Sequence, residues 1–228
     1  MASERRTQVL RRLEALADPV HRASQARFGI NTARSYGISI PALQALAKEL
    51  KRDHALAQEL WTSGIHEGRI LASLVDDPRQ VTEEQMERWA ADFDSWDLCD
   101  GGCGNLFDKT PYAYTKAAEW SAREQEFVKR AGFSLMATLV VHDKRGRDEA
   151  FLAFLPLIQQ EATDERNFVC KAVNWALRQI GKRNVALNAA AIATAQEVQR
   201  LDSRAARWIA ADALRELRSE AVQKRLRR

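Results

Sequence analysis

No stretch of this 228-residue chain is apolar for the roughly 20 residues that a membrane-spanning helix needs. The opening Met-Ala-Ser-Glu-Arg-Arg-Thr-Gln lacks the apolar core of a secretory signal, so a cytoplasmic protein is expected. Glycine is scarce at 10 residues and proline scarcer at 5, which leaves little material for long linkers. Alternating strand patterns are missing, so a sheet has no support in the sequence. Three cysteines, an odd number, suit a reducing interior better than a disulfide framework. Neither charge sign dominates: 35 Lys+Arg stand against 31 Asp+Glu, a net +4. A polyanionic partner is thereby permitted but not demanded.

What remains is a chain rich in Ala, Leu, Glu, Arg and Gln, whose 46% hydrophobic content is enough for a core. It predicts roughly a dozen helices joined by short turns. Helix starts are expected at Pro41, at Thr82 with Gln85 as a capping box, at Thr110-Pro111, and at Asp202. No composition shift marks a boundary, so residues 1–228 read as one domain. Phe127-Val-Lys-Arg-Ala131 recurs 41 residues later as Phe168-Val-Cys-Lys-Ala172, and Arg204-Ala205 repeats the cation–Ala step after a further 33. Periods near 40 built from helix pairs are expected of HEAT-like repeats, an all-α solenoid with a concave face. In this register Arg130 and Lys171 face away from the core and place cations on one continuous basic surface.

The most unusual helix is Phe168-Val-Cys-Lys-Ala-Val-Asn-Trp-Ala-Leu-Arg-Gln-Ile-Gly-Lys182. Val169, Ala172, Val173, Ala176, Leu177 and Ile180 form one apolar stripe. Trp175 lies on the opposite side, among Lys171, Arg178 and Lys182. An indole among cations is suited to a phosphate backbone and to a positively charged or sugar-like group beside it. The densest chemistry lies in Asp94-Ser-Trp-Asp-Leu-Cys-Asp-Gly-Gly-Cys-Gly104, where Trp96 and Asp100 are four apart and share a helical face. The glycines after Asp100 leave room for close approach of a ligand. Cys99, Cys103 and Cys170 find no partners at metal-ligand spacing among His54, His66 and His142, and read as buried or redox-sensitive thiols. Trp61, Trp89, Trp120 and Trp208 read as packing residues.

Trp96-x-x-x-Asp100, Arg130-Ala, and Lys171-Ala-x-x-Trp175-x-Leu-Arg178, in that order on three helices, resemble the AlkD-type DNA alkylation repair family. The resemblance runs from about Gly37 to the C-terminal helices. It implies a HEAT-like DNA glycosylase that removes N3- and N7-alkylated purines from double-stranded DNA; nothing in the sequence suggests an obligate oligomer, so a monomer is expected, with no cofactor and no metal. By the same resemblance Asp100 is the catalytic carboxylate, and Trp96 and Trp175 flank the deoxyribose of the lesion. Arg130 grips the backbone, with Lys171, Arg178 and Lys182 as further DNA contacts. The family often shows two tryptophans before the aspartate segment; here Ser95 precedes Trp96.

The chemistry suits these residues in its own right. An N3- or N7-alkylated purine is cationic, so its glycosidic bond breaks with a neutral leaving group and needs no general acid. The oxocarbenium-like sugar then needs one nearby carboxylate, which also positions water. Two other readings use the same surface: a DNA-binding HEAT-like scaffold without catalysis, and a protein-binding one.

Overall fold

The computed structural model describes residues 3–227, which fall into two compact units, one ending at Thr110 and one beginning at Pro111. The first contains α1 (Glu4–Ala15), α2 (Pro19–Arg27), α3 (Ile40–Leu50), α4 (His54–Trp61), α5 (His66–Val75), α6 (Glu83–Ala91) and α7 (Trp96–Asn105), then a 3₁₀ turn, Phe107–Lys109. The second contains α8 (Ala113–Ser121), α9 (Glu126–His142), α10 (Asp148–Leu152), α11 (Leu155–Glu161), α12 (Asn167–Gly181), α13 (Val185–Gln199), α14 (Arg204–Leu217) and α15 (Glu220–Leu226). All regular structure among the described residues is helical, and no helix is long and apolar enough to cross a membrane.

The helix starts follow local chemistry. Pro41 occupies the first turn of α3, where its missing N–H costs nothing. Thr82 caps α6 by accepting from Gln85 N at 3.2 Å, but only half of the expected capping box forms. The Gln85 side chain turns inward and donates to Asp76 Oδ2 at 2.7 Å, because the buried carboxylate competes for it. Two expected starts shift. Ser203, not Asp202, caps α14, and Asp202 pairs with Arg207. After Thr110-Pro111, α8 begins at Ala113.

In the first unit Trp61 and Trp89 stack at 3.9 Å and 5°, with Phe93 and Phe107 against their edges. Together they tie α4 and α6 to the segments around α7. In the second unit α9 is packed between α8 and α12, so every residue from Arg130 to Val140 is buried. Gly132 allows this close approach. A Cβ there would lie 2.4 Å from Ser121 N and 2.9 Å from Ala117 O, both rigid backbone. We expect Gly132→Ala to force α8 and α9 apart at a cost of about 1–3 kcal/mol. At roughly 2–4 °C per kcal/mol for a chain of this size, a thermal melt should fall by several degrees.

Candidate functional site

Helix α7 has two sides. Leu98, Cys99, Gly102 and Cys103 are buried, while Trp96 and Asp100, one turn apart, stay half-buried on its open side. The glycines divide between these sides. Gly102 meets the Phe93 ring, whose Cζ would be 3.0 Å from a Cβ, so it serves packing. A Cβ on Gly101 would make only an ordinary contact, 3.6 Å from Asn105 Nδ2. Gly101, beside Asp100, is thus not held by close packing as Gly102 is.

The Trp96 indole is held in place by its Nε1, which donates to Phe28 O at 3.0 Å. It edges a cleft of about 420 Å³ whose walls include Phe28, Ile38, Ile40 and Pro41. A second anchor holds the first turn of α7. Ser95, fully buried, donates from Oγ to Asp97 Oδ1 at 2.9 Å, and Asp97 Oδ2 pairs with His66 Nε2 of α5 at 2.8 Å. Burial alone would push the His66 pKa down, but the hydrogen bond and charge of Asp97 outweigh it and the net shift is upward. Burial likewise works to raise Asp97, and the His66 bond and charge carry it below its usual range. Ser95 is thus part of the device that positions Trp96 and Asp100.

The cysteines take no part. Cys99 and Cys103 are fully buried, and burial pushes the Cys103 thiol well up. Burial raises Cys170 to about 11. Among the described residues no group of His, Cys, Asp and Glu is arranged to hold a metal ion.

In the second unit the repeat read from sequence is real at the level of packing. Its two copies open α9 and α12, and Phe127 and Phe168 meet at 5.5 Å between ring centroids. The cations of the two copies nevertheless differ. Lys171 is exposed, but Arg130 is only 6% exposed and donates from Nη1 to Phe168 O at 2.6 Å. Arg130 does not face away from the core, because α12 covers the side of α9 that a lone-helix reading leaves open. The uncharged sequence of Phe133–Val140, apolar but for Ser134 and Thr138, was the available signal, since a helix apolar on nearly every side is buried.

The stripe predicted on α12 is buried as expected, and Trp175 is half-buried on the other side with no hydrogen-bond partner among the described residues. Two of its neighbouring cations are engaged. Arg178 Nη1 and Lys182 Nζ each bind Glu216 of α14 at 2.8 Å, and Arg178 also reaches Asp212 at 3.4 Å. Burial works to raise the Glu216 carboxyl, but Lys182 and Arg178 hold it below its ordinary range. Their charge is therefore largely neutralised and holds α12 to α14. Lys171 has no ion pair among the described residues. Of the tryptophans read as packing residues, Trp61, Trp89 and Trp120 are buried, but Trp208 on α14 is 44% exposed.

Three likenesses accompany this geometry. A family model described as "DNA alkylation repair enzyme" matches residues 9–217. A solved structure, from work on "a new family of proteins related to the HEAT-like repeat DNA glycosylases with affinity for branched DNA structures", aligns with a TM-score of 0.80. That alignment covers 96% of this chain and 95% of the other at 22% identity, so the likeness is one of fold, and the fold is HEAT-like. An uncharacterised protein of Listeria innocua, Lin0241, is 29% identical over 103 residues, 44% of this chain and 46% of its own. In that match the chain spans about half the length of its relative.

Proposed function

Since this chain belongs to the DNA alkylation repair enzyme family, we propose that it is a DNA glycosylase acting on cationic N3- and N7-alkylated purines in duplex DNA. The observation that carries this reading is the placing of Trp96 and Asp100 on the same half-buried side of α7, next to Gly101, where a Cβ would meet nothing closer than 3.6 Å. Asp100 opposes the positive charge that develops on the sugar as the alkylated base departs, and it orients the attacking water. The Trp96 ring face stabilises the same cation and borders the cleft beside it. Scission needs no base-specific contacts, because the lesion supplies its own leaving group. The second unit contributes DNA contacts of its own, the Trp175 face and the exposed Lys171. Arg178, Lys182 and Arg130 act in this reading as positioning residues, holding α12 in place.

One observation favours a second reading. Arg130 is only 6% exposed and donates to the Phe168 carbonyl of α12, so little of the cation that the family resemblance sets beside the lesion is open to DNA. A protein that binds DNA without releasing bases fits that burial. Quantifying free N7-methylguanine and N3-methyladenine after incubation with alkylated duplex separates the two. Release at a rate above spontaneous depurination supports the glycosylase, whereas bound DNA without release leaves the scaffold.

A further inference from the structure

The exposed Trp208 is not alone. It lines a cleft of about 410 Å³ between α12 and α14, together with Lys171, Arg204, Asn167 and Cys170. Lys171 and Arg204 form no ion pair among the described residues, in contrast to Arg178 and Lys182 further along α12. Glu165 also borders the cleft, but its carboxylate is already engaged. It accepts from Ser203 Oγ at 3.1 Å and Ala205 N at 3.2 Å, and these donors hold its pKa below the ordinary range. Glu165 keeps its negative charge, but Lys171 and Arg204 outnumber it, so the cleft is net positive and its accessible apolar surface is an aromatic ring.

A ring flanked by two exposed cations, with one carboxylate between them and the neighbouring backbone, matches the chemistry of a nucleotide whose base has left its stack. The base face lies on the ring, and the cations meet the phosphates on either side. A base inside a duplex has both faces covered by its neighbours and offers nothing to Trp208. We propose that this cleft binds an unpaired nucleotide of DNA, stacking its base on Trp208 while Lys171 and Arg204 bracket the adjacent phosphates. The proposal rests on reading the chain as a DNA-binding protein and adds the DNA structure it prefers. It is separate from base release, and neither Asp100 nor Trp96 takes part.

The test uses undamaged DNA, so it does not depend on glycosylase activity. Three probes are compared by fluorescence anisotropy: a forked duplex with 2-aminopurine in an unpaired arm, a blunt duplex of equal length, and the unpaired strand alone. Wild type should favour the fork over the blunt duplex and change the 2-aminopurine emission on binding. Trp208→Ala should weaken fork binding by roughly tenfold and abolish that emission change, because stacking on an aromatic ring is lost. Trp208→Phe, which keeps a ring, should retain most of both. Lys171→Gln and Arg204→Gln should each reduce the salt slope of fork binding by about 1. Since the Trp208 ring is 44% exposed, Trp208→Ala should melt close to wild type, which separates lost stacking from lost folding. Tight binding of the free strand with the same Trp208 dependence would identify single-stranded DNA as the source of the nucleotide, and dependence confined to the fork would identify a junction. A Trp208→Ala protein that prefers the fork and shifts 2-aminopurine emission as wild type does would overturn the proposal. Trp208-dependent fork binding without any base release would sink the glycosylase reading alone.

Discussion

Asp100→Asn should slow release of N7-methylguanine from duplex DNA by about a hundredfold or more while leaving DNA binding intact. The substitution keeps the shape of the side chain and removes its charge, so it tests the charge alone. A hundredfold corresponds to about 2.7 kcal/mol of transition-state stabilisation, within the range measured when a preorganised electrostatic partner of a developing charge is deleted. The sign of the binding effect is also fixed. A carboxylate beside a phosphate backbone is repulsive in the ground state, so Asn should leave the dissociation constant unchanged or slightly tighter. A rate that falls while affinity holds or improves cannot come from poorer binding. Single-turnover release with saturating protein, measured beside anisotropy on the same duplex, gives both quantities. Equal release by wild type and Asp100→Asn would remove the carboxylate from the mechanism and with it the proposed chemistry.

How much of this was legible in the sequence depended on whether one helix decided the answer. The α12 stripe and the open side of α7 follow from spacing within a single helix, so Val169–Ile180 and the Trp96–Asp100 pair could be read without neighbours. The HEAT-like fold was legible for a related reason, since the repeat at Phe127 and Phe168 reports which helices stack. Where a second helix decided, spacing failed. Arg130 and Lys171 hold the same place in the repeat, yet α12 covers the first and leaves the second exposed. Arg178 and Lys182 read as free cations because Glu216, 38 and 34 residues away, could not be placed opposite them.

Trp208 shows the opposite error. Tryptophans are usually buried at helix contacts, and three of the four read that way are. The fourth sits outside the α14 stripe of Ala205, Ile209, Ala213 and Leu217, so its exposure was present in the helical periodicity. The general preference of the residue type outweighed the position of this residue. Ser95 was read as a departure from the family pattern, and nothing local showed that it would be buried against Asp97. The Ser95–Asp97 bond spans two residues, but the other Asp97 oxygen pairs with His66, which approaches from α5.

Asp97→Ala should cost about 3 kcal/mol near pH 6, and the cost should shrink as pH rises. His66 is only 4% exposed, and breaking a buried pair strands the remaining partner at about 3–5 kcal/mol, moderated here because an imidazole can release its proton. The pH window follows from the two shifts. His66 is raised above its ordinary 6.5, so its contribution is full below 6.5 and fades as pH climbs through the folded value. Asp97 is lowered below 3.8, so its contribution is present above 3.8 and is lost only as pH falls through its depressed value. Between about pH 4 and 6.5 both charges are in place and the difference between wild type and variant should be widest. Chemical denaturation at pH 5.5, 7 and 8.5 measures it, and a cost independent of pH would mean that Asp97 acts by packing and not through an ion pair. The same variant reaches the chemistry, because Asp97 anchors the turn of α7 that carries Trp96 and leads to Asp100. Base release should therefore fall in Asp97→Ala even at temperatures where the protein is fully folded. His66→Gln should reproduce the fall without touching α7 itself. Should both variants release bases at the wild-type rate, the pair serves stability alone and α7 holds its catalytic side in place without it.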